Sequence, residues 1–215
     1  MTRILIADDH PLVREGLKQI LSATPDLVVA AEAVDGDQAL ARVRAEAFDL
    51  ALLDLSMPGL SGIDLIKRLK LEKPRLKILV LSMHGEQQYA VRAYKAGAAG
   101  YLTKDSASAQ LVEAIRKIAA GGVYISPAAA EQFAIGVMGN PGELAHRALS
   151  DREFEVFRML VTGSSITDIA QSLHLSVKTI STHKTRILQK MNMASTAELV
   201  RYAVEHKLLD DSAAP

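Results

Sequence analysis

Leu50-Ala51-Leu52-Leu53-Asp54-Leu55-Ser56-Met57-Pro58-Gly59 runs four apolar residues into a carboxylate and then a turn. A short unbroken apolar run bounded by turn residues reads as a strand buried on both faces. Working outward, Ile4–Ala7, Val28–Ala33, Ile78–Leu81 and Ala99–Leu102 are runs of the same kind. Between them, segments 11–22, 36–46, 62–72, 86–96 and 106–120 space their apolar residues at the helical period. Strands alternating with amphipathic helices predict a five-fold βα repeat over residues 1–121, a parallel sheet covered on both faces. Right-handed crossovers restrict this to a doubly wound α/β sheet.

The pattern breaks near residue 122. Gly121-Gly122, Pro127, Gly136 and Gly139-Asn140-Pro141-Gly142 mark a linker over 122–146, with one short helix expected around 128–138. Beyond it the strand signal vanishes. Segments 151–162, 166–173, 177–191 and 196–207 all have helical spacing and short connections, which predicts an all-α, four-helix domain over 147–215. Gly163 closes the first of these helices, Ser176 caps the third, and Ser195 with Glu198 is a capping-box signature for the fourth.

Composition limits the function. The 215 residues are 49% apolar and 23% charged, the balance of a folded chain rather than a disordered one. There is no cysteine, which excludes disulfide scaffolds, Cys-ligated zinc, iron–sulfur clusters and thiol nucleophiles. No segment has signal-peptide character or the roughly 20 apolar residues of a membrane span, so a cytoplasmic protein with no membrane partner is expected. The 25 basic and 25 acidic residues cancel, but residues 176–192 hold Lys178, Lys184, Arg186 and Lys190 and no acid. One helix is locally basic, as nucleic-acid binding requires.

In an open α/β sheet, ligands sit beyond the carboxyl ends of the strands. The predicted strands end in Asp8-Asp9, Asp54, Ser82 and Tyr101-Leu102-Thr103-Lys104. Three carboxylates, a hydroxyl and an ammonium therefore converge on one edge. Hard oxygen ligands in that number suit Mg²⁺ with room for a phosphoryl group, and a carboxylate can itself accept phosphoryl. Taken singly each has a plainer account: Asp8-Asp9 ahead of Pro11 as a helix cap, Asp54 as a turn former, Ser82 as a cap, Lys104 as a solvated lysine. That all five fall at strand ends on one edge favours a site.

These residues, with Met57-Pro58-Gly59 and Gly62, resemble the receiver domain of bacterial two-component response regulators over about residues 2–121. The resemblance implies that Asp54 takes a phosphoryl group from a sensor histidine kinase. It implies Mg²⁺ held by Asp9, Asp54 and the Ser56 carbonyl, with Asp8 acting through water. Ser82 would donate to one phosphoryl oxygen and Lys104 pair with another, while Tyr101 turns inward as the switch. It further implies that the receiver assists only its own phosphotransfer and dephosphorylation, and is otherwise not an enzyme. Ser56 and His84 fall where the family tunes phosphoryl lifetime, so His84 is expected to affect dephosphorylation. Asp105 stands where many receivers have proline, and Ser82 where threonine is commoner.

In the second half, Asp168-Ile169-Ala170, Leu173, Leu175-Ser176 and Lys178-Thr179-Ile180 follow at helix-turn-helix spacing. Val177, Ile180, Ile187, Leu188 and Met191 are expected to form the apolar face of the second helix. Lys178, Ser181, Thr182, Thr185 and Gln189 lie opposite, flanked by Lys184 and Arg186, a face suited to a major groove. Residues 147–208 are similar to the LuxR-type helix-turn-helix, and the whole chain to NarL/FixJ-type response regulators. That resemblance implies base reading by Ser181, Thr182 and Thr185 and phosphate contacts by Lys178, Lys184 and Arg186, with Thr179 in the same interface on double-stranded DNA. Val200, Ala203 and Val204 resemble the family's dimerisation helix, implying a homodimer on activation; completing the domain core is their simpler account.

Two other readings compete. A pseudo-receiver would bind DNA without phosphorylation, and an aspartyl-phosphate hydrolase would share the Mg²⁺, nucleophile and lysine. The hydrolase usually has a second acid two residues after its nucleophile, where this chain has Ser56.

Overall fold

The computed structural model describes residues 1–57, 60, 62–82, 87–125, 145–206 and 208–209. The expected helix at 128–138, the Pro58-Gly59 turn and His84 lie outside the described residues. The chain divides into two units, Met1–Phe133 and Ala134–Pro215.

The first unit alternates β1 (Thr2–Ala7), α1 (Pro11–Ser22), β2 (Leu27–Ala33), α2 (Gly36–Ala45), β3 (Leu50–Asp54), α3 (Gly62–Glu72), β4 (Lys77–Ser82), α4 (Gln87–Ala96), β5 (Gly100–Thr103) and α5 (Lys104–Ala119). All strand pairs are parallel, in the order β2-β1-β3-β4-β5. The alternation of side chains along each strand sorts the apolar runs into two cores. Leu5, Ala7, Ala51, Leu53, Ile78, Val80 and Tyr101 pack with α2, α3 and α4. Ile4, Ile6, Leu50, Leu52, Leu79, Leu81 and Leu102 pack with α1 and α5. The doubly wound α/β expectation holds.

Strand order reverses between β1 and β3, and such a switch point opens a crevice at the strands' carboxyl ends. Register sets what meets there. Ala7 pairs with Leu53, Asp54 with Leu81 and Ser82 with Thr103, so Asp8, Asp54, Ser82 and Lys104 follow one another along the same edge.

Gly36 holds the loop after β3 in place. It is the first residue of α2, and a Cβ there would lie 1.5 Å from the carbonyl oxygen of Leu60. Gly36→Ala therefore has to displace the β3–α3 connection, an overpacking cost of about 3 kcal/mol. Urea unfolding of the first unit should show a lower midpoint with an unchanged slope.

After α5 the chain returns to the sheet edge. The Tyr124 amide donates to Ala99 O at 2.9 Å, and Tyr124 bridges Gly100 in parallel. The Tyr94 hydroxyl, on α4, donates to the Tyr124 carbonyl. Burial pushes the Tyr94 phenol up to about 12. The folded value is above the unfolded one, so the neutral phenol's contribution is complete below about pH 10 and disappears as pH rises towards 12. Tyr94→Phe should cost about 1 kcal/mol at pH 8. Unfolding measured from pH 8 to 12 should show that difference shrinking as pH rises.

The second unit holds a 3₁₀ turn (Ala145–Ala148), α6 (Asp151–Val161), α7 (Ile166–Ser172), α8 (Val177–Met191) and α9 (Thr196–Glu205). Its core is Phe154, Phe157, Leu160, Ile169, Ile180, Ile187, Leu199 and Ala203. His146, from the 3₁₀ turn, is fully buried, with Nδ1 2.8 Å from the Tyr202 hydroxyl. Ser150–Glu153 and Ser165–Asp168 both form complete capping boxes, which the sequence reading did not assign. At α9 the expected box is half formed. Ser195 accepts from the Glu198 amide, but Glu198 reaches back to the Ala194 amide at 3.0 Å rather than to that of Ser195.

Candidate functional site

Strand β1 delivers two aspartates into the crevice with unlike surroundings. Asp8 is buried, and its Oδ1 accepts from the His10 amide at 2.9 Å. Asp9 is half-buried at the mouth. Neither caps α1: His10 holds the N-cap position without a side-chain cap bond, and Pro11 begins the helix. Strand β3 ends in Asp54, only 1% exposed, whose Oδ1 accepts from the Ser56 amide at 3.1 Å. This is an Asx-type turn bond, and it leaves Oδ2 for other partners.

Lys104 closes the pocket. Its ammonium lies 2.9 Å from Asp54 Oδ2 and 2.7 Å from Asp8 Oδ2. Lys104 opens α5 rather than ending β5, because Thr103 caps that helix by accepting from the Ser106 amide. The cap fixes where the lysine leaves the backbone. Burial lowers the basicity of Lys104, but the Asp8 and Asp54 carboxylates against its ammonium outweigh it and hold the group above its ordinary value. At Asp54 burial prevails, holding the carboxyl above the usual range against the pull of Lys104 and the Ser56 amide. The carboxylate in this crevice is short of counter-charge.

That shortage, and the donor set, fit a hard divalent cation. One ligand atom from each of Asp8, Asp9, His10 and Asp54 lies within 4.8 Å of the others. Asp8 Oδ2 and Asp9 Oδ1 are buried without a hydrogen bond, although Lys104 Nζ and His10 Nδ1 stand 2.7 Å and 2.8 Å away. Both contacts satisfy the distance of an ion pair and leave lone pairs unaligned with any donor. Ser82 is buried at the end of β4, and Tyr101 is 4% exposed within the core under α4.

In the second unit α7 and α8 form the helix-turn-helix. The turn is fixed by the Leu175 amide donating to Ala170 O, by His174 in the left-handed region at φ 51°, and by Arg152 donating to Leu173 O. Ser176 caps α8 by accepting from the Thr179 amide, and the Ser176 and Thr179 hydroxyls lie 2.8 Å apart. Ile180, Ile187 and Met191 anchor the helix, leaving Lys178, Thr182, Thr185 and Arg186 exposed and Ser181 and Lys184 half-buried. The hydroxyls of Ser181, Thr182 and Thr185 each donate to the carbonyl four residues back, at 2.9–3.1 Å. Lys178, Lys184 and Arg186 form no ion pair among the described residues, whereas Lys190 binds Glu153 Oε2 at 2.6 Å. His183 is held below its ordinary pKa by burial, with Arg152 and Arg186 adding to that. A neutral His183 gives the helix no charge at pH 7.

Residues 4–116 match the family described as "Response regulator receiver domain", and residues 147–203 match "Bacterial regulatory proteins, luxR family". The chain is 38% identical to the oxygen regulatory protein NreC of Staphylococcus carnosus, over 97% of this chain and 99% of that one. It is 36% identical to the response regulator GacA of Pseudomonas viridiflava, over 99% of this chain and 100% of that one. RcsB from Salmonella enterica serovar Typhimurium, bound to promoter P1flhDC in the presence of phosphomimetic BeF3⁻, superposes with a TM-score of 0.69 at 29% identity, covering 95% of this chain and 98% of RcsB.

The chain belongs to the LuxR-type response regulators.

As in that family, a receiver is joined to a DNA-binding helix-turn-helix, and members are transcription regulators rather than enzymes with a turned-over substrate. Of the residues expected in this response regulator's pocket, Asp8, Asp9, Asp54 and Lys104 are brought together at the distances above, with Ser56 bonded to Asp54 through its amide. His10 stands among them although the sequence reading used it only as the residue before Pro11. Its place beside two aspartates was the available signal. Two expectations on α8 need correction. Val177 is 49% exposed rather than part of the apolar face. At 100° per residue it falls roughly 60–80° off the Ile180–Ile187 line, at the margin of the packed stripe. Lys190 is drawn to Glu153, so three unpaired cations remain where the sequence counted four. Ala203 is buried in the core, while Val204 on the same helix is 59% exposed. Among the described residues no helix is long and apolar enough to cross a membrane.

Proposed function

We propose that this regulator is switched by phosphorylation of Asp54 and, once phosphorylated, binds double-stranded DNA through α8. The observation that carries the first half is the Lys104 ammonium set between Asp8 and Asp54 at the switch point. An Asp54 oxygen attacks the phosphorus of a phosphohistidine on a sensor histidine kinase. The bond from phosphorus to the donor's imidazole nitrogen breaks, and that nitrogen keeps the electron pair. Lys104 then moves its charge from Asp54 Oδ2 to a phosphoryl oxygen, and Ser82 donates to another. Asp9, Asp54 and the Ser56 carbonyl are the residues that would hold Mg²⁺, with Asp8 acting through water. The ion's chemistry is to neutralise the phosphoryl oxygens. The receiver thus assists its own phosphotransfer and dephosphorylation, and nothing else.

Tyr101 already lies within the core under α4, so the phosphoryl group's work is to hold Ser82 and Tyr101 inward and stabilise that packing. We assign residues 1–121 to the receiver, 122–146 to the linker and 147–215 to the DNA-binding domain, in a cytoplasmic protein that dimerises on activation. On α8, Ser181, Thr182 and Thr185 face base edges, while Lys178, Lys184 and Arg186 meet phosphates, with Thr179 beside them at the capped start. The capture of RcsB on promoter DNA with a phosphoryl mimic supports this reading.

The test is fluorescence anisotropy of the full chain on a pool of duplex DNA, before and after phosphorylation by a small phosphodonor. Affinity is expected to rise on phosphorylation. Equal affinity in the two states would replace this reading by constitutive DNA binding through a pseudo-receiver.

A further inference from the structure

We propose that His10 supplies an imidazole nitrogen to the cation that Asp9, Asp54 and the Ser56 carbonyl would hold beside Asp8, so that the pocket favours a borderline transition ion over Mg²⁺. The inference rests on the phosphoacceptor reading of the same pocket and adds a fourth ligand to it.

The placement comes from the backbone. Pro11 fixes the first residue of α1, which puts His10 at the N-cap in an extended conformation, φ −89° and ψ 111°. An N-cap side chain normally turns back to accept from a free amide of the first turn. His10 does not, and its ring leans over the aspartates instead, with Nδ1 2.8 Å from Asp9 Oδ1 and 3.3 Å from Asp8 Oδ1. Its amide is tied to Asp8 Oδ1 at 2.9 Å, which fixes the His10 backbone to the buried carboxylate.

A ring nitrogen of His10 and one oxygen each from Asp8, Asp9 and Asp54 lie within 4.8 Å of one another. His10 Nδ1 and Asp9 Oδ1, at 2.8 Å, are as close as adjacent ligands of one ion at bond lengths of about 2.1 Å. Asp8 and Asp9 each keep a buried oxygen without a hydrogen bond. The ring is 61% exposed, so it stands on the solvent side, from which an ion enters. Carboxylates alone suit Mg²⁺ and Mn²⁺, and adding imidazole moves preference towards Co²⁺ and Ni²⁺. Hydrogen bonding from His10 to Asp9 alone is the competing account, and it predicts no metal preference.

Full-length protein would be titrated with Mg²⁺ and with Co²⁺ by calorimetry at pH 7.5, for wild type, His10→Ala and His10→Gln. A Mn²⁺-loaded sample would be examined for ¹⁴N coupling by pulsed electron paramagnetic resonance. Wild type is expected to show imidazole coupling. Both variants should lose it and bind Co²⁺ at least ten-fold more weakly, with Mg²⁺ affinity changed less than two-fold. Ion binding without nitrogen coupling, or equal weakening for both metals, overturns the role of His10 and leaves the phosphoacceptor reading standing. Failure of all three ions to bind folded wild type overturns both.

Discussion

Asp54→Asn is expected to take up no phosphoryl group, while wild type should gain a single Mg²⁺-dependent addition in intact mass after incubation with a small phosphodonor. The loss is complete because an amide has no nucleophilic oxygen to offer, and Lys104 cannot replace it. The same variant should be more stable than wild type without metal. Burial holds Asp54 above the usual carboxylate range in the fold, so the ionised form is the one that folding disfavours. A carboxyl with a raised folded pKa contributes stability at acid pH and loses that contribution as pH rises through its folded value. At pH 7 the asparagine escapes the penalty and the melting temperature rises. As pH falls below the ordinary aspartate range near 4, the difference closes. Mg²⁺ should then raise the melting temperature of wild type and leave Asp54→Asn little changed, since an ion bound only to the folded state stabilises it by mass action. Phosphoryl addition at another residue in the variant would overturn the assignment of Asp54.

Replacing Lys178, Lys184 and Arg186 together by alanine should weaken DNA binding by roughly 500-fold at 0.1 M salt. Each phosphate contact on a duplex contributes about 0.9 to the slope of log affinity against log salt, so three lost contacts flatten it by about 2.7 per protomer. The three cations have no ion pair among the described residues, so their charge is available to DNA. Lys190 is the control. It sits on the same helix with the same charge, but its ammonium is held by Glu153 at 2.6 Å. Lys190→Ala should leave the salt slope as it is. Anisotropy titrations from 50 to 300 mM salt give both slopes, and equal flattening by the triple and single variants would show that position on α8 does not decide DNA contact.

In the proposed switch, a charge added at Asp54 would meet Lys104 and Ser82 at the strand ends, with the response expected under α4, where Tyr101 is buried. Tyr124, after α5, is bonded to the same region, its carbonyl accepting from the Tyr94 hydroxyl on α4. The arrangement is consistent with a packed element that two local events can bias.

Much of this protein is determined locally. The parallel sheet was legible because strands buried on both faces must be continuous apolar runs, and α1, α3 and α8 begin where Pro11, Gly62 and Ser176 place them. The grouping of Asp8, Asp54, Ser82 and Lys104 was legible too, since parallel strands in register deliver their last residues to one edge. Tertiary structure alone decided what side chains do once there. Lys104 is 50 residues from Asp54 and Lys190 is 37 from Glu153, and periodicity carries no information about pairings that far apart. Spacing likewise marked Val177 as apolar-face and gave His10 no role of its own. Only the packed neighbours fix that one stays in solvent and the other turns towards carboxylates. Main-chain conformation follows from short-range sterics and burial pattern, whereas charge pairing and ligand sets depend on which distant segments the fold brings within a few ångströms.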